Sequence, residues 1–173
     1  MANVSMRPRL ALFLVPALAL PSLGCGAGGP PPSAPSDKMG QVVSFSLPSD
    51  EGALVTVPLT GARTTVLDFF GPTCAPCKAK VPALHARREA LAQKGARLVL
   101  VGVLADGETT DGAKRALASW GVSAPFLVDK DGTGKREAGV TTLPATLVLD
   151  ASGAVKWVAP PDARAEDVVA AVP

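Results

Sequence analysis

The order of apolar and polar residues predicts an α/β fold between residue 41 and the C-terminus. Residues 64–70 and 97–105 are apolar or β-branched without alternation, which is typical of strands buried on both faces of a sheet. The other predicted elements are a hairpin at 42–47 and 54–57, helices at 74–94, 112–120 and 163–172, and strands at 125–128, 145–150 and 155–158. This order predicts a βαβ unit joined to a ββα unit, so that a central mixed sheet is flanked by helices and preceded by a β-hairpin.

The predicted helix at 74–94 contains two prolines. Pro76 suits the first turn of a helix, where the missing N–H has no partner in any case. Pro82 falls inside the helix and predicts a kink. Lys80 is assigned to the solvent-facing side, opposite the stripe of apolar residues.

Residues 1–24 have the pattern of an export signal. Two arginines precede the apolar run 10–20, which is too short to cross a bilayer as a permanent helix. Cys25 follows a small residue and resembles the acylated cysteine of the bacterial lipobox, although Ser22 stands where that motif usually has Leu. Cleavage near this point without lipid attachment is the alternative. We expect an exported protein on the periplasmic side of a bacterial membrane, anchored through Cys25.

Residues 25–40 are predicted to form a flexible tether between this cysteine and a single folded domain at 41–173. The segment 26–37 is rich in Gly, Pro and Ser and has no large apolar side chain. Such a segment cannot bury enough surface to offset the entropy lost on ordering.

Composition narrows the range of partners. Without residues 1–24, two of the 17 basic residues are lost, which leaves 15 basic and 15 acidic residues. A formally neutral chain gives no argument for binding nucleic acid or a patch of anionic lipid. Three cysteines provide one site for lipid and one pair, so this is not a disulfide-dense scaffold. We expect a monomer.

Cys74 and Cys77, with two residues between them, follow the strand at 64–70 and open the next helix. Unpaired N–H groups and the helix dipole at such a position favour a thiolate, and Cys77 is within reach for a reversible disulfide. The pattern predicts thiol–disulfide exchange with Cys74 as nucleophile and Cys77 as resolving thiol. A permanent structural disulfide is the alternative.

A metal site is not expected. Zinc needs about four ligands, and besides the cysteine pair only Cys25 and His85 are soft candidates, neither suitably placed. His85 would lie ~16 Å along the helix from Cys74 and is assigned to the helix surface. The acidic turn at 129–134 lacks the ligand spacing of a calcium loop.

Asp68 interrupts the buried strand at 64–70. Burial of a carboxylate is costly and raises its pKa unless it is paired or functional. Two interpretations remain open: a general acid and base for Cys77, or a core carboxylate satisfied by a hydrogen bond. Trp120 is interpreted as an anchor in the core rather than a ligand platform.

Four features in order resemble thioredoxin-fold proteins of the extracytoplasmic TlpA/ResA type, within the wider redoxin group. They are the Cys74-Ala-Pro-Cys77 pair, Pro82 five residues after the second cysteine, Asp68 at the place of thioredoxin's buried acid, and Pro144 before a strand. The resemblance covers residues from about 41 to the C-terminus.

The resemblance implies a protein-disulfide oxidoreductase that needs no cofactor beyond its redox-active disulfide. Its implied partners are protein thiols or disulfides and a membrane electron donor, and reduction, for example in cytochrome c or metalloprotein maturation, is the favoured direction. It further implies that Pro144 is a cis-proline that leaves the backbone of Leu143 free to pair with a bound peptide. Thr73, Ala75 and Pro76 complete the implied substrate surface.

Thr73 departs from the family pattern, which usually has Trp at this position, and so changes the surface offered to a substrate. Other classes fit less well. A peroxiredoxin would need Pro-x-x-x-Thr-x-x-Cys around one of the cysteines, and a copper-delivery protein would need a wider cysteine spacing and a positioned histidine. A thioredoxin-fold binding module without turnover remains the alternative.

Overall fold

The structure, a computed structural model, describes residues 34–173. The elements in chain order are β1 (Phe45–Pro48), β2 (Leu54–Val57), β3 (Thr64–Phe70), α1 (Cys77–His85), α2 (Arg88–Gln93), β4 (Ala96–Val103), α3 (Thr110–Ser119), β5 (Phe126–Asp129), α4 (Thr133–Glu137), β6 (Ala145–Asp150), β7 (Val155–Val158) and α5 (Ala165–Ala171). Strands β1 and β2 form the hairpin, and the main sheet has the order β5-β4-β3-β6-β7. β3, β4 and β5 are parallel, whereas β6 is antiparallel to both of its neighbours. The predicted mixed sheet with an N-terminal hairpin is confirmed.

Strand β3 lies at the centre of the sheet and every one of its residues is buried. Leu67 and Phe69 pack in the core beneath the hairpin, whereas Val66 and Phe70 pack beneath the helices on the opposite face. Because side chains alternate along a strand, Asp68 projects toward the helices, between Val66 and Phe70. Asp68 therefore interrupts the apolar side chains of β3 on the face that carries α1.

The predicted helix at 74–94 is divided into α1 and α2. Residues 74–77 form a turn closed by a hydrogen bond from the Cys77 N–H to the Cys74 carbonyl oxygen (3.1 Å), so α1 begins at Cys77 rather than Cys74. After α1, the Arg87 N–H donates to the carbonyl of Leu84, three residues back, in a tighter turn of the 3₁₀ type. A new helix, α2, then begins at Arg88. Pro82 lies inside α1, and the interruption comes after it rather than at it.

Two further segments differ from the sequence interpretation. The predicted turn at 129–134 leads into the short helix α4, because the buried carboxylate of Asp129 accepts hydrogen bonds from the N–H groups of Gly134 (3.1 Å) and Lys135 (2.7 Å). Residues 34–40 pack on the domain although they were assigned to the tether. Ser36 is buried, its hydroxyl donates to the Ala138 carbonyl (2.7 Å), and the packed domain starts before residue 41.

The predicted signal segment, residues 25–33 of the tether and the lipidation site Cys25 lie outside the described residues. Between residues 34 and 173, the structure contains no helix with the length and apolar character that a membrane span requires.

Candidate active site

Cys74 and Cys77 are joined by a disulfide, with their Cα atoms 5.3 Å apart. Cys74 lies in the turn after β3, where its N–H donates to the carbonyl of Gly71 (3.1 Å), and it is partly exposed. Cys77 is the first residue of α1 and is fully buried. The Cys77 N–H donates to the Cys74 sulfur (3.3 Å). The sulfur of Cys74, the more exposed residue of the pair, therefore accepts a hydrogen bond from an N–H at the start of α1, where negative charge is stabilised.

Asp68 is fully buried on the helix-facing side of β3. Its register partner on β6 is Thr146, whose hydroxyl donates a 2.7 Å hydrogen bond to Oδ1. Burial raises the pKa of Asp68 from an ordinary value of 3.8 to about 6, and the hydrogen bond from Thr146 and the charge of Lys80 oppose that rise. A carboxyl group with this pKa can both accept and release a proton near neutral pH.

Lys80 lies on the inner side of α1, contrary to the prediction that it faces water. Its Nζ is buried and has no hydrogen-bond partner among the described residues. Desolvation lowers the pKa of the ammonium group, and the charge of Asp68 opposes this shift. A signal was present in the sequence, because Lys80 follows Cys77 by three residues and precedes Leu84 by four, which places all three on one face of a helix.

A cleft of about 590 Å³ runs along α1 and the start of α5. Its walls are formed by Pro76, Ala79, Lys80, Ala83, Ala86, Arg87, Pro144, Pro161, Ala163, Arg164, Ala165 and Glu166. The cleft thus brings together two of the predicted substrate-binding residues, Pro76 beside the disulfide and Pro144 at the start of β6.

The Leu143–Pro144 peptide bond is cis. Leu143 packs against the cluster that contains both cysteines. A Cβ atom placed on Gly71 would be in ordinary van der Waals contact with Leu143 Cδ1 (3.4 Å) and with the Cβ of Cys74 (3.6 Å), so Leu143 lies next to the redox turn. The loop before β6 and the redox turn therefore form one surface.

Thr73 is exposed and its hydroxyl donates to Oε1 of Glu108 (2.8 Å). The other carboxylate oxygen of Glu108 accepts from the N–H of Ala105 (2.8 Å). Both oxygens are therefore hydrogen-bonded, and the carboxylate is fixed beside the redox turn. Ala75, the remaining predicted surface residue, is exposed. Sequence reasoning missed Glu108, because nothing in a polar loop 35 residues away signals this contact.

The remaining candidates have no place in the redox site. His85 ends α1 and lines a separate pocket of about 270 Å³, and burial followed by the charge of Arg88 lowers its pKa. Trp120 packs edge-on against Phe70, with ring centroids 6.1 Å apart, in agreement with a role as an anchor. Within residues 34–173, no three His, Cys, Asp or Glu side chains are grouped so as to hold a metal.

Comparison with known proteins identifies relatives that are named as thioredoxin-like proteins or thiol-disulfide oxidoreductases. The thioredoxin-like protein YneN of Bacillus subtilis is 27% identical over 118 residues, which are 67% of this chain and 67% of YneN. The thiol-disulfide oxidoreductase ResA of the same organism is 26% identical over 112 residues, which are 65% of this chain and 61% of ResA. The chain thus spans less than two thirds of the length of ResA.

Solved structures share the fold. StoA from Bacillus subtilis superposes with a TM-score of 0.66 at 20% identity and covers 78% of this chain and 99% of its own. A putative thiol:disulfide interchange protein DsbE from Chlorobium tepidum has a TM-score of 0.64 at 26% identity, with 80% and 99% coverage. The family model described as Redoxin matches residues 34–172. Since that match takes in almost all of the described domain, including the disulfide, the chain belongs to the redoxin family.

Proposed function

We propose that this protein is an extracytoplasmic thiol–disulfide oxidoreductase that works by exchange through Cys74 and Cys77. The observation that carries the proposal is the asymmetry of the disulfide: Cys74 is partly exposed in the turn before α1, whereas Cys77, the first residue of α1, is buried. Membership of the redoxin family and the names of the relatives support the same class of reaction. A substrate disulfide can contact Cys74, whereas Cys77 reacts only with the sulfur of Cys74.

The reaction balances as a two-electron exchange. In the reduced protein the Cys74 thiolate attacks one sulfur of a substrate disulfide, forms a mixed disulfide and releases a substrate thiolate, which takes a proton from water. The Cys77 thiol then gives up its proton, attacks the Cys74 sulfur and releases the second substrate thiolate. The substrate gains two electrons, and the protein ends with the intramolecular disulfide that the structure contains. A donor dithiol, by expectation on a membrane protein, restores both thiols by the reverse steps.

Asp68 is proposed as the group that accepts the proton of Cys77 and returns it in the reverse direction. Support comes from its burial on the face of β3 that carries α1 and from a pKa of about 6, which suits a general base near neutral pH. The hydrogen bond from Thr146 holds one carboxylate oxygen and leaves the other to act.

The substrate polypeptide is proposed to lie across Thr73, Ala75 and Pro76 and against Leu143 and Pro144. Support comes from the close approach of Leu143 to the redox turn and from the cleft that Pro76 and Pro144 share. The walls of this cleft carry several Ala and Pro side chains, which offer apolar surface to a polypeptide.

Placement outside the cytoplasm, through a lipid on Cys25, is also proposed. The export pattern of residues 1–24 and the cysteine at its end support it. Incorporation of a labelled fatty acid by cells producing the wild type but not Cys25→Ser would bear it out, and equal labelling of both would contradict it.

The experiment that tests the activity is the reduction of insulin disulfides by dithiothreitol, with the purified protein as catalyst. We expect turnover with the wild type and loss of turnover with Cys74→Ser. If Cys74→Ser is as active as the wild type, the exchange mechanism is wrong.

A further inference from the structure

Two buried atoms of opposite charge stand out in the described part of the chain. Oδ2 of Asp68 and Nζ of Lys80 are the only buried side-chain nitrogen or oxygen atoms there that have no hydrogen-bond partner. A buried charge without a partner is costly, and native structures rarely leave one uncompensated. Asp68 and Lys80 form no direct ion pair with each other, so they interact only through their charges at longer range.

The fold places both groups beside the resolving cysteine. Asp68 projects from β3 toward α1, between Val66 and Phe70. On α1, Lys80 follows Cys77 by one turn and so lies on the same face. The charge of each group acts on the other, since Lys80 favours the ionised form of Asp68 and Asp68 favours the ionised form of Lys80. Lys80 is also part of the cleft wall, although its Nζ is buried.

The other charged groups around Asp68 have partners elsewhere. Its register neighbours in the sheet are Leu100 and Thr146, which carry no charge. In the cleft, Arg87, which lies between α1 and α2, pairs with Glu166 of α5, and Arg164 at the start of α5 pairs with Asp167 at 3.7 Å. Lys80 is thus the one charged group of the described cleft wall without an ion pair.

We propose that Lys80 is a positioning residue for the redox reaction: its ammonium group keeps Asp68 ionised near neutral pH and connects that carboxylate to solvent in the cleft. The inference rests on the proposed exchange through Cys77. The Cys77 proton passes to the Asp68 carboxylate and then to water in the cleft, while Lys80 remains an ammonium ion throughout. No electron passes through the pair.

The test is a titration of Asp68 by carboxyl ¹³C NMR in the oxidised protein, with the signal assigned by its loss in Asp68→Asn. We expect a midpoint near 6 in the wild type and an upward shift on the order of 0.5–1 pH unit in Lys80→Met, because a favourable positive charge has been removed. Lys78→Met, which removes an exposed lysine of the same helix, should leave the midpoint unchanged. Lys80→Arg should retain the wild-type midpoint. An unchanged or lower midpoint in Lys80→Met overturns the proposal.

The second measurement is the rate at which Cys77 resolves a preformed mixed disulfide on Cys74, as a function of pH. The acidic limb of this profile should move upward in Lys80→Met by the same amount as the NMR midpoint, and Lys80→Met should add no further loss to Asp68→Asn. A limb that stays in place also overturns the proposal. If Lys80→Met does not fold, Lys80→Gln takes its place in both measurements. Because the titration does not depend on turnover, failure of the pairing and failure of the proposed activity are distinguishable.

Discussion

Thr146 and Asp68 lie opposite each other on β6 and β3, and the threonine hydroxyl donates a 2.7 Å hydrogen bond to the buried carboxylate. The bond fixes Oδ1 within the sheet, and Oδ2 has no hydrogen-bond partner among residues 34–173. It also favours the ionised form, in opposition to the burial that raises the pKa to about 6. The sheet thus holds a carboxyl group in place and lets it titrate close to neutral pH.

The pH dependence of stability should reveal this group. The pKa of Asp68 is raised in the folded protein, from 3.8 to about 6, so the folded state binds the proton more tightly than the unfolded state. The stabilising contribution of protonated Asp68 to the unfolding free energy is fully present below about pH 4, falls as the pH rises to about 6 and is lost above it. We expect Asp68 to cost on the order of 2–3 kcal/mol of unfolding free energy at pH 7.5 relative to pH 4.

Urea unfolding of the oxidised wild type and Asp68→Asn at pH 4, 6 and 7.5 measures this cost. Asp68→Asn should gain stability relative to the wild type as the pH rises from 4 to 7.5, whereas the exposed-site control Asp106→Asn should not. A constant difference between Asp68→Asn and the wild type across this range would show that Asp68 does not titrate as described.

Thr146→Val should remove the hydrogen bond to Asp68 while preserving the shape of the side chain. Loss of the hydrogen bond removes one of the groups that oppose the rise in the pKa of Asp68, so its midpoint should move above 6. The midpoint is measured by carboxyl NMR, and urea unfolding should show a loss of about 1–3 kcal/mol at pH 7.5, since a buried acceptor is left unsatisfied. Thr142→Val, at an exposed position of the preceding loop, is the control. Equal midpoints in the wild type and Thr146→Val would exclude the role of this bond.

Glu108 should modulate the nucleophile. It places a negative charge next to Thr73, the residue before Cys74, and a nearby negative charge disfavours a thiolate. Glu108→Gln should therefore increase the rate at which iodoacetamide alkylates Cys74 in the reduced protein at pH 7, by roughly two- to tenfold. Glu51→Gln, on the hairpin turn, is the control, and a rate that falls in Glu108→Gln would contradict the expectation.

Lys94 should contribute to stability far from the redox site. Its ammonium group donates to the carbonyl oxygens of Val169 (3.0 Å) and Val172 at the end of α5, where backbone carbonyls lack partners in the helix. Lys94→Met should lower the unfolding free energy by about 1–3 kcal/mol in urea titrations, with insulin reduction unchanged at 25 °C. Lys130→Met removes an exposed lysine and should have little effect. Equal stability of Lys94→Met and the wild type would rule out this cap.

The sequence predicted the parts of the site that local patterns encode. β3 was predicted with its observed bounds, because a fully buried strand is apolar throughout, and Asp68 was evident because it breaks that run. The cysteine pair was recognised from its spacing together with its position between a buried strand and a helix. The start of the helix was not predicted correctly. The hydrogen bonds of the turn before Cys77 depend on how the chain leaves β3, so α1 begins at Cys77 rather than Cys74.

The contacts that cross the fold could not be predicted. Lys80 was assigned to the solvent-facing side, opposite the apolar stripe. Its spacing from Cys77 and Leu84 indicated the inner face of the helix, but not that its ammonium group would be buried. The Thr73–Glu108 bond joins two loops without a pattern. Ser36 is held by hydrogen bonds rather than apolar burial, so its segment resembles a linker by composition.

The central claim is that Cys74 attacks the substrate and that Cys77 resolves the mixed disulfide. The most direct test is to incubate reduced Cys77→Ser and Cys74→Ser separately with a peptide disulfide and to measure the intact masses without added thiol. The difference in burial between the two residues predicts a stable adduct on Cys74 in Cys77→Ser and none in Cys74→Ser, because Cys77 is buried. An adduct on Cys77 in Cys74→Ser, formed as fast as the adduct on Cys74, would contradict the claim.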